Sequence, residues 1–350
     1  MIDNYQKTVV QTFTSNQPFD LECGETLGSV EIGYCTYGTF QPEKNNVIWV
    51  FHALTGNADP LDWWDGLIGD GLLLDPKHYF IICANVLGSC YGSTCPSSIN
   101  PSTGRSYHKH FPLITVRDIV NAHRLLKEHL GIKKIHIGIG GSLGGQQLVE
   151  WAVAEPALFE IIIPIAANAK HSPWGIAFNE SQRMALEADK TLYDFHPEVG
   201  RDGLAAARTI AMLSYRNYTT YHTTQQDKED RIDDYRASSY QRYQGIKLVK
   251  RFEPLAYLSL SKTMDSHDIG RGRGGLKNAL TMITATTLVV GITSDILFPV
   301  REQEFLAQYI QGAELEIIDS DYGHDGFLIE YGQLTYLISQ FLNKQNLFRQ

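Results

Sequence analysis

The stretch Lys134-Ile-His-Ile-Gly-Ile-Gly-Gly-Ser-Leu-Gly-Gly-Gln-Gln-Leu-Val-Glu-Trp-Ala-Val-Ala154 changes character midway. Residues 134–138 form the dense apolar run expected of a parallel strand covered on both faces. Residues 145–154 read as the helix that leaves it. Between them Gly140-Gly-Ser-Leu-Gly144 matches G-x-S-x-G, the sharp strand–turn–helix that presents a nucleophilic serine. Small residues around Ser142 permit a tight turn that a Cβ would obstruct. The helix brings free N–H groups and the positive end of its dipole to the hydroxyl, where negative charge would develop.

Outward from this turn, short apolar runs at 46–51, 79–84, 161–165, 288–291 and 315–319 read as further strands. A helical pattern over 115–130 sets Val116, Ile119, Val120, His123, Leu126 and Leu130 near one face. Strands alternating with helices predict an α/β fold with a mostly parallel central sheet and helices on both faces. Residues 30–40 alternate enough to form an antiparallel edge strand. From 169 to 285 the rhythm breaks: the chain is richer in charge, Tyr, Gln and Arg, with consecutive helices expected at 180–188, 203–215 and within 227–250. The polar run Gln225-Gln-Asp-Lys-Glu-Asp230 reads as a solvated helix start or loop. The expectation is one catalytic domain, 1–168 and 286–350, interrupted by a helical cap, or lid, at 169–285.

A serine hydroxyl needs a base to take its proton and an acid to orient that base. In the α/β-hydrolase layout these follow in the order Ser, Asp or Glu, His. Asp295 comes after the 288–291 strand in Thr293-Ser-Asp-Ile-Leu-Phe-Pro299, and His324 after the 315–319 strand in Tyr322-Gly-His-Asp-Gly326. Both fall on loops at strand carboxyl ends, the side where such sheets place their sites. Acyl transfer also needs N–H donors for the tetrahedral oxyanion. The candidates are the backbone N–H of Leu143, next to Ser142, and of Leu54 in His52-Ala-Leu-Thr-Gly56, just past the 46–51 strand.

Composition narrows the alternatives. The chain has 350 residues, 43% hydrophobic and 20% charged, with a formal charge of −9. That profile excludes fibrous and disordered classes and argues against a nucleic-acid partner or an anionic membrane surface. No apolar run approaches the roughly 18–20 residues of a membrane span, and the start lacks signal-peptide features. Five scattered cysteines, Cys23, Cys35, Cys83, Cys90 and Cys95, suggest incidental thiols in a reducing cytoplasm. Gly270-Arg-Gly-Arg-Gly-Gly275 satisfies G-x-G-x-x-G but follows no strand, and is expected to pack as a loop against the cap. The Asp265-Ser-His-Asp268 cluster has no standard metal spacing.

Over nearly its whole length the sequence resembles the homoserine O-acetyltransferase family of α/β-hydrolase-fold acyltransferases. The resemblance rests on His52-Ala-Leu-Thr-Gly56, Gly140-Gly-Ser-Leu-Gly-Gly145 with Glu150-Trp151, His171-Ser-Pro-Trp174 with Ala177-Phe-Asn-Glu180, Ala207-Arg-Thr-Ile-Ala-Met-Leu-Ser-Tyr-Arg216, Met264-Asp-Ser-His-Asp268 with Gly270-Arg-Gly-Arg-Gly-Gly275, Ser294-Asp-Ile-Leu-Phe-Pro299 and Gly323-His-Asp-Gly-Phe327. It implies Ser142 as nucleophile, His324 as base and Asp295 as its orienting acid. It also implies Arg208, Tyr215 and Asp325 as acceptor-binding residues. The implied reaction is ping-pong acetyl transfer from acetyl-CoA to L-homoserine at the entry to methionine biosynthesis. No metal or other cofactor is needed, and a homodimer through cap helices is implied. Succinyl-CoA as donor, serine as acceptor, plain ester hydrolysis and a non-catalytic relative stay open. The chain departs from the family pattern Gly-Gly-Ser-Met-Gly-Gly-Met at Leu143 and Gln146. The second change puts a polar group in the helix of the turn.

Overall fold

The computed structural model describes residues 9–196 and 198–347. Its main sheet contains β1 (Gln11–Ser15), β2 (Val30–Tyr37), β3 (Val47–Phe51), β4 (Phe80–Ala84), β5 (Ile135–Gly141), β6 (Phe159–Ile165), β7 (Thr286–Ile292) and β8 (Glu314–Ile318). The spatial order is β1-β2-β4-β3-β5-β6-β7-β8. From β4 to β8 all neighbours are parallel, while β2 pairs antiparallel with both β1 and β4. Strand β2 is therefore not at the edge as expected; β1 lies outside it. The five-residue β1, Gln-Thr-Phe-Thr-Ser, is mostly exposed and lacks a dense apolar run. Its pairing with β2 in register Gln11↔Tyr34 creates it.

Alternation along the strands sends side chains to two apolar layers. Val47, Trp49 and Phe51 of β3 enter one cluster; Ile48 and Val50 enter the other. The first layer is covered by α1 (Val116–His129) and α2 (Leu143–Ala154). Helix α1 begins in a reciprocal capping box, with Thr115 accepting from Asp118 N–H and the Asp118 carboxylate accepting from Thr115 N–H.

Between β6 and β7 the chain runs through α3 (Pro173–Glu187), α4 (Arg201–Tyr215), α5 (Tyr218–Gln225), α6 (Arg236–Val249), α7 (Pro254–Asp265) and α8 (Leu276–Leu280). After β7 come α9 (Val300–Tyr309) and, following β8, α10 (Tyr331–Lys344). Residues 226–230 lie in the loop between α5 and α6.

The Gly-rich segment 270–275 is a loop against the inserted helices, with Asn278 of α8 donating to the Arg273 carbonyl at 2.7 Å, and its arginines also bind the α/β body. Arg273 forks onto Glu150 of α2 at 2.6 and 2.8 Å, and Arg271 onto Glu22 at 2.8 Å. Arg117 of α1 reaches both carboxylates. Glu150 is only 2% exposed, so its charge requires these cations. The Met264–Asp268 cluster is structural as well. Asp265 bonds Arg183, Asp268 pairs with Lys170, and His267 Nε2 meets the carbonyl of Asn168.

Among the described residues no His, Cys, Asp or Glu cluster could hold a metal ion, and no helix is long and apolar enough to cross a membrane. All five cysteines are free thiols. Cys35 and Cys83 face each other across β2 and β4, and burial pushes the Cys35 thiol up to about 11.

Candidate active site

Ser142 follows β5 and caps α2 with φ 59° and ψ −127°, a conformation costly for any residue with a Cβ. The strain therefore sits on the serine. The flanking glycines serve close approach: a Cβ on Gly144 would lie 2.1 Å from the Phe51 carbonyl oxygen, and one on Gly140 would lie 2.7 Å from Phe51 Cβ. The end of β3 thus lies directly against the elbow. Ser142 N–H donates to the Ile165 carbonyl at 3.0 Å, fixing the turn to β6 as well.

Asp295 and His324 come together from loops 29 residues apart. His324 Nδ1 lies 2.6 Å from Asp295 Oδ2, and both side chains are buried. The other oxygen, Oδ1, accepts from the N–H groups of Leu297 and Phe298 at 2.8 and 2.9 Å. Those bonds hold the carboxylate plane, so one oxygen is left for the imidazole. The His324 ring is stacked on Phe298 (centroids 5.0 Å, 17°) and meets Phe327 edge-on. With its Nδ1 proton directed to Asp295, Nε2 keeps its lone pair; it is buried and has no hydrogen-bond partner among the described residues. Burial opposes the imidazolium form. The charge and hydrogen bond of Asp295, helped by Asp325 and Glu302, outweigh it and hold the pKa above the usual 6.5.

The loop after β3 is pinned from three sides. Val86 N–H donates to His52 Nε2 at 3.1 Å, so the ring proton is on Nδ1, facing the Ala53 carbonyl at 2.8 Å. Burial lowers the His52 pKa to about 4, and it remains a neutral structural ring. Gln147 of α2 donates to the carbonyls of both His52 and Leu143. From the turn after α6, Arg251 donates to the Thr55 carbonyl at 2.6 Å. Leu54 and Leu143, the two residues singled out as oxyanion donors, are thus fastened to each other's neighbourhood, and both are buried. Neither N–H donates a hydrogen bond to another group among the described residues.

A cavity of about 440 Å³ collects the site. Ser142, Leu54, His324, Arg208, Tyr215 and Asp325 all line it, although they come from four separate parts of the chain. Arg208 lies over the Tyr215 ring at 5.3 Å and has no carboxylate within ion-pair distance among the described residues. Asp325 has Arg216 for a partner, Nε to Oδ2 3.1 Å. Burial pushes the Asp325 carboxyl up, and the cations of Arg216 and Arg208 offset part of that rise. Sequence reasoning missed Arg216, Lys247, Arg251 and Trp63. Only Arg216 stood inside a matched motif; the other three reach the site through tertiary packing.

Gln146 faces away from the cavity, into a buried polar relay. Its Nε2 donates to Asn168 Oδ1 at 2.9 Å and lies 3.3 Å from His171 Nδ1. Asn168 continues to Glu302 at 2.8 Å, while Asn179 joins His171 to Asp265. The amide nitrogen at this helix position is thereby satisfied without touching the reacting side chains, while Oε1 is buried with no partner among the described residues.

The model of the α/β hydrolase fold matches residues 46–331. A homoserine O-acetyltransferase from Cyclobacterium marinum is 49% identical over 336 residues, covering 96% of either chain. Among solved structures, a homoserine O-acetyltransferase from Bacillus anthracis superposes with a TM-score of 0.88 at 26% identity, covering 97% of this chain and 98% of that one. An acetylester hydrolase from Corynebacterium glutamicum gives 0.85 at 26% identity, with 96% of each chain covered. The alternation of strands and helices, the elbow at Ser142 and this full-length similarity agree: the chain belongs to the homoserine O-acetyltransferase family of the α/β hydrolase fold.

Proposed function

We propose that the protein transfers an acetyl group from acetyl-CoA to the hydroxyl of L-homoserine in two steps through an acetyl-serine. The observation that carries this reading is the single cavity shared by Ser142, His324, Arg208, Tyr215 and Asp325. In the first step His324 Nε2 takes the Ser142 proton as Oγ attacks the thioester carbonyl. Leu54 and Leu143 N–H groups receive the oxyanion, and the CoA thiolate leaves, taking that proton from His324. In the second step Nε2 deprotonates the homoserine hydroxyl, which attacks the acetyl-serine. O-acetylhomoserine departs and Ser142 recovers its proton. Asp295 holds the imidazole tautomer and stabilises its transient charge throughout.

The acceptor is zwitterionic, and among the charges that line the cavity Arg208 and Asp325 offer it one of each sign. Arg208 supplies a planar fork for the carboxylate, Asp325 a negative charge for the ammonium, and Tyr215 orients Arg208 from below. The helices α3–α8 act as a lid at 169–285 that keeps water from the acyl-enzyme while admitting the amino acid. The reaction requires no metal or other cofactor beyond its acyl-donor substrate. We further propose a homodimer through the inserted helices, supported by exposed Leu213, Tyr218, Tyr243 and Ile246 on α4–α6. Free thiols favour a reducing cytoplasm, and the product suits methionine biosynthesis.

The test is a competition of acetyl-CoA and succinyl-CoA with homoserine and serine as acceptors, read by product mass. O-acetylhomoserine should dominate, and incubation with acetyl-CoA alone should give an acetyl adduct on Ser142. Dominant O-succinylhomoserine, O-acetylserine or free acetate would overturn the substrate assignment. Sedimentation at micromolar concentration tests the dimer.

A further inference from the structure

The catalytic cavity meets a second, larger one at a single side chain. Arg251 lines both the cavity over Ser142 and a cavity of about 660 Å³ beside the turn that follows α6. The chemistry of acyl transfer uses nothing in this outer cavity. Its size falls within the range of small-molecule sites.

Its wall has the character of a site for a flat, anionic group. Lys250 and Arg251 have no carboxylate within ion-pair distance among the described residues, whereas Arg201, at the far wall, is already paired with Glu198. The carboxylates of Asp194 and Glu253 also line the cavity, and neither pairs with Lys250 or Arg251. Three of the five N–H groups of Arg251 are taken, by the Thr55 carbonyl, Thr55 Oγ1 and Tyr91 Oη. The remaining two have no partner among the described residues. Phe195 is 83% exposed and stacks on His108 with centroids 4.3 Å apart. An aromatic ring left open on one face beside unpaired cations suits a purine and its phosphates.

On the reading that the donor is an acyl-CoA, we propose that the outer cavity holds its adenine nucleotide. The pantetheine arm then passes Arg251 to bring the thioester to Ser142. One molecule must put an acyl carbon at Ser142 and several phosphate charges elsewhere, on a chain of net charge −9. The two cavities, both lined by Arg251, provide both places.

The experiment uses the full chain with acetyl-CoA and S-acetylpantetheine, which lacks the nucleotide, each with homoserine. The variants are Lys250→Glu, which reverses an exposed charge, and Ser106→Trp, which fills the outer cavity without touching the inner one. Wild-type protein should prefer acetyl-CoA. Both variants should raise KM for acetyl-CoA on the order of tenfold and shrink the kcat/KM preference by the same factor. Calorimetric titration with adenosine bisphosphate should show binding to wild type and on the order of tenfold weaker binding to Lys250→Glu. Variants that keep the full preference for acetyl-CoA and the wild-type affinity would overturn the subsite while leaving the donor reading intact. A wild type that does not use acetyl-CoA overturns the donor reading, and the subsite with it, before any variant is made.

Discussion

At position 142 a residue with a Cβ holds φ 59° and ψ −127° because its hydroxyl is needed there. Such a conformation costs about 1–3 kcal/mol, and glycine adopts it freely. Ser142→Gly should therefore be inactive yet more stable, by about 1 kcal/mol after the greater chain entropy of glycine is subtracted. Ser142→Ala keeps the strain, so it should be equally inactive with a nearly unchanged midpoint. Thermal melting of both variants checks this, and a Ser142→Gly melting point below wild type would remove the strain argument. His324 gives a second residue-scale prediction. The base works only when neutral, and the neighbouring Asp295 holds its pKa above 6.5. The acid limb of kcat/KM should thus lie above pH 6.5, with activity rising as pH increases through it. Asp295→Asn removes the charge and should move that limb to lower pH while reducing kcat by several orders of magnitude. A limb that stays in place would show that another group titrates.

At the scale of elements, α4 brings Arg208 and Tyr215 to the cavity one above the other, seven residues and about two helical turns apart. Arg208→Ala should raise KM for homoserine by one to two orders of magnitude, as loss of a forked carboxylate contact does. Because the donor half-reaction does not use this side chain, a rapid burst of CoA release should persist. Stopped-flow thiol detection separates the two, and loss of the burst would place Arg208 in the first step instead. Such elements differ in how far their sequence reveals them. Strands β3, β4, β5 and β7 and the cap of α1 are written in local patterns, and so is the elbow. Strand β1 is polar and mostly exposed; only its partner makes it a strand. The arginines of 270–275 look like part of a loop against the cap, but their carboxylates, Glu22 and Glu150, lie more than a hundred residues away. Periodicity carries no information about such pairings. For the same reason the placement of Arg251 and Lys247 at the cavity was not legible, whereas motif order alone was enough to single out Asp295 and His324.

At the scale of the molecule, the net charge of −9 hides an uneven distribution of buried acids. Salt-bridged carboxylates such as Glu22 and Asp268 are held below their usual range despite the cost of burial, and they stabilise the fold at neutral pH. Glu302 works in the opposite direction. Burial raises its carboxyl from the ordinary 4.5 to about 6, the hydrogen bonds from Asn168 and Ser172 offset part of that rise, and the charge of Asp295 adds to it. Between pH 4.5 and 6 the folded chain keeps this proton more often than the unfolded one. Stability from this group is therefore present at the acid end and lost as pH rises through 6. A carboxyl displaced from 4.5 to about 6 corresponds to at most about 2 kcal/mol. Glu302→Gln keeps an oxygen acceptor for Asn168 Nδ2 and removes the charge. The variant should match wild type near pH 4.5 and exceed it at pH 7.5 by up to about 2 kcal/mol. Denaturant titrations at the two pH values decide the matter. An equal difference at both would mean that the substitution acts through packing rather than through the proton.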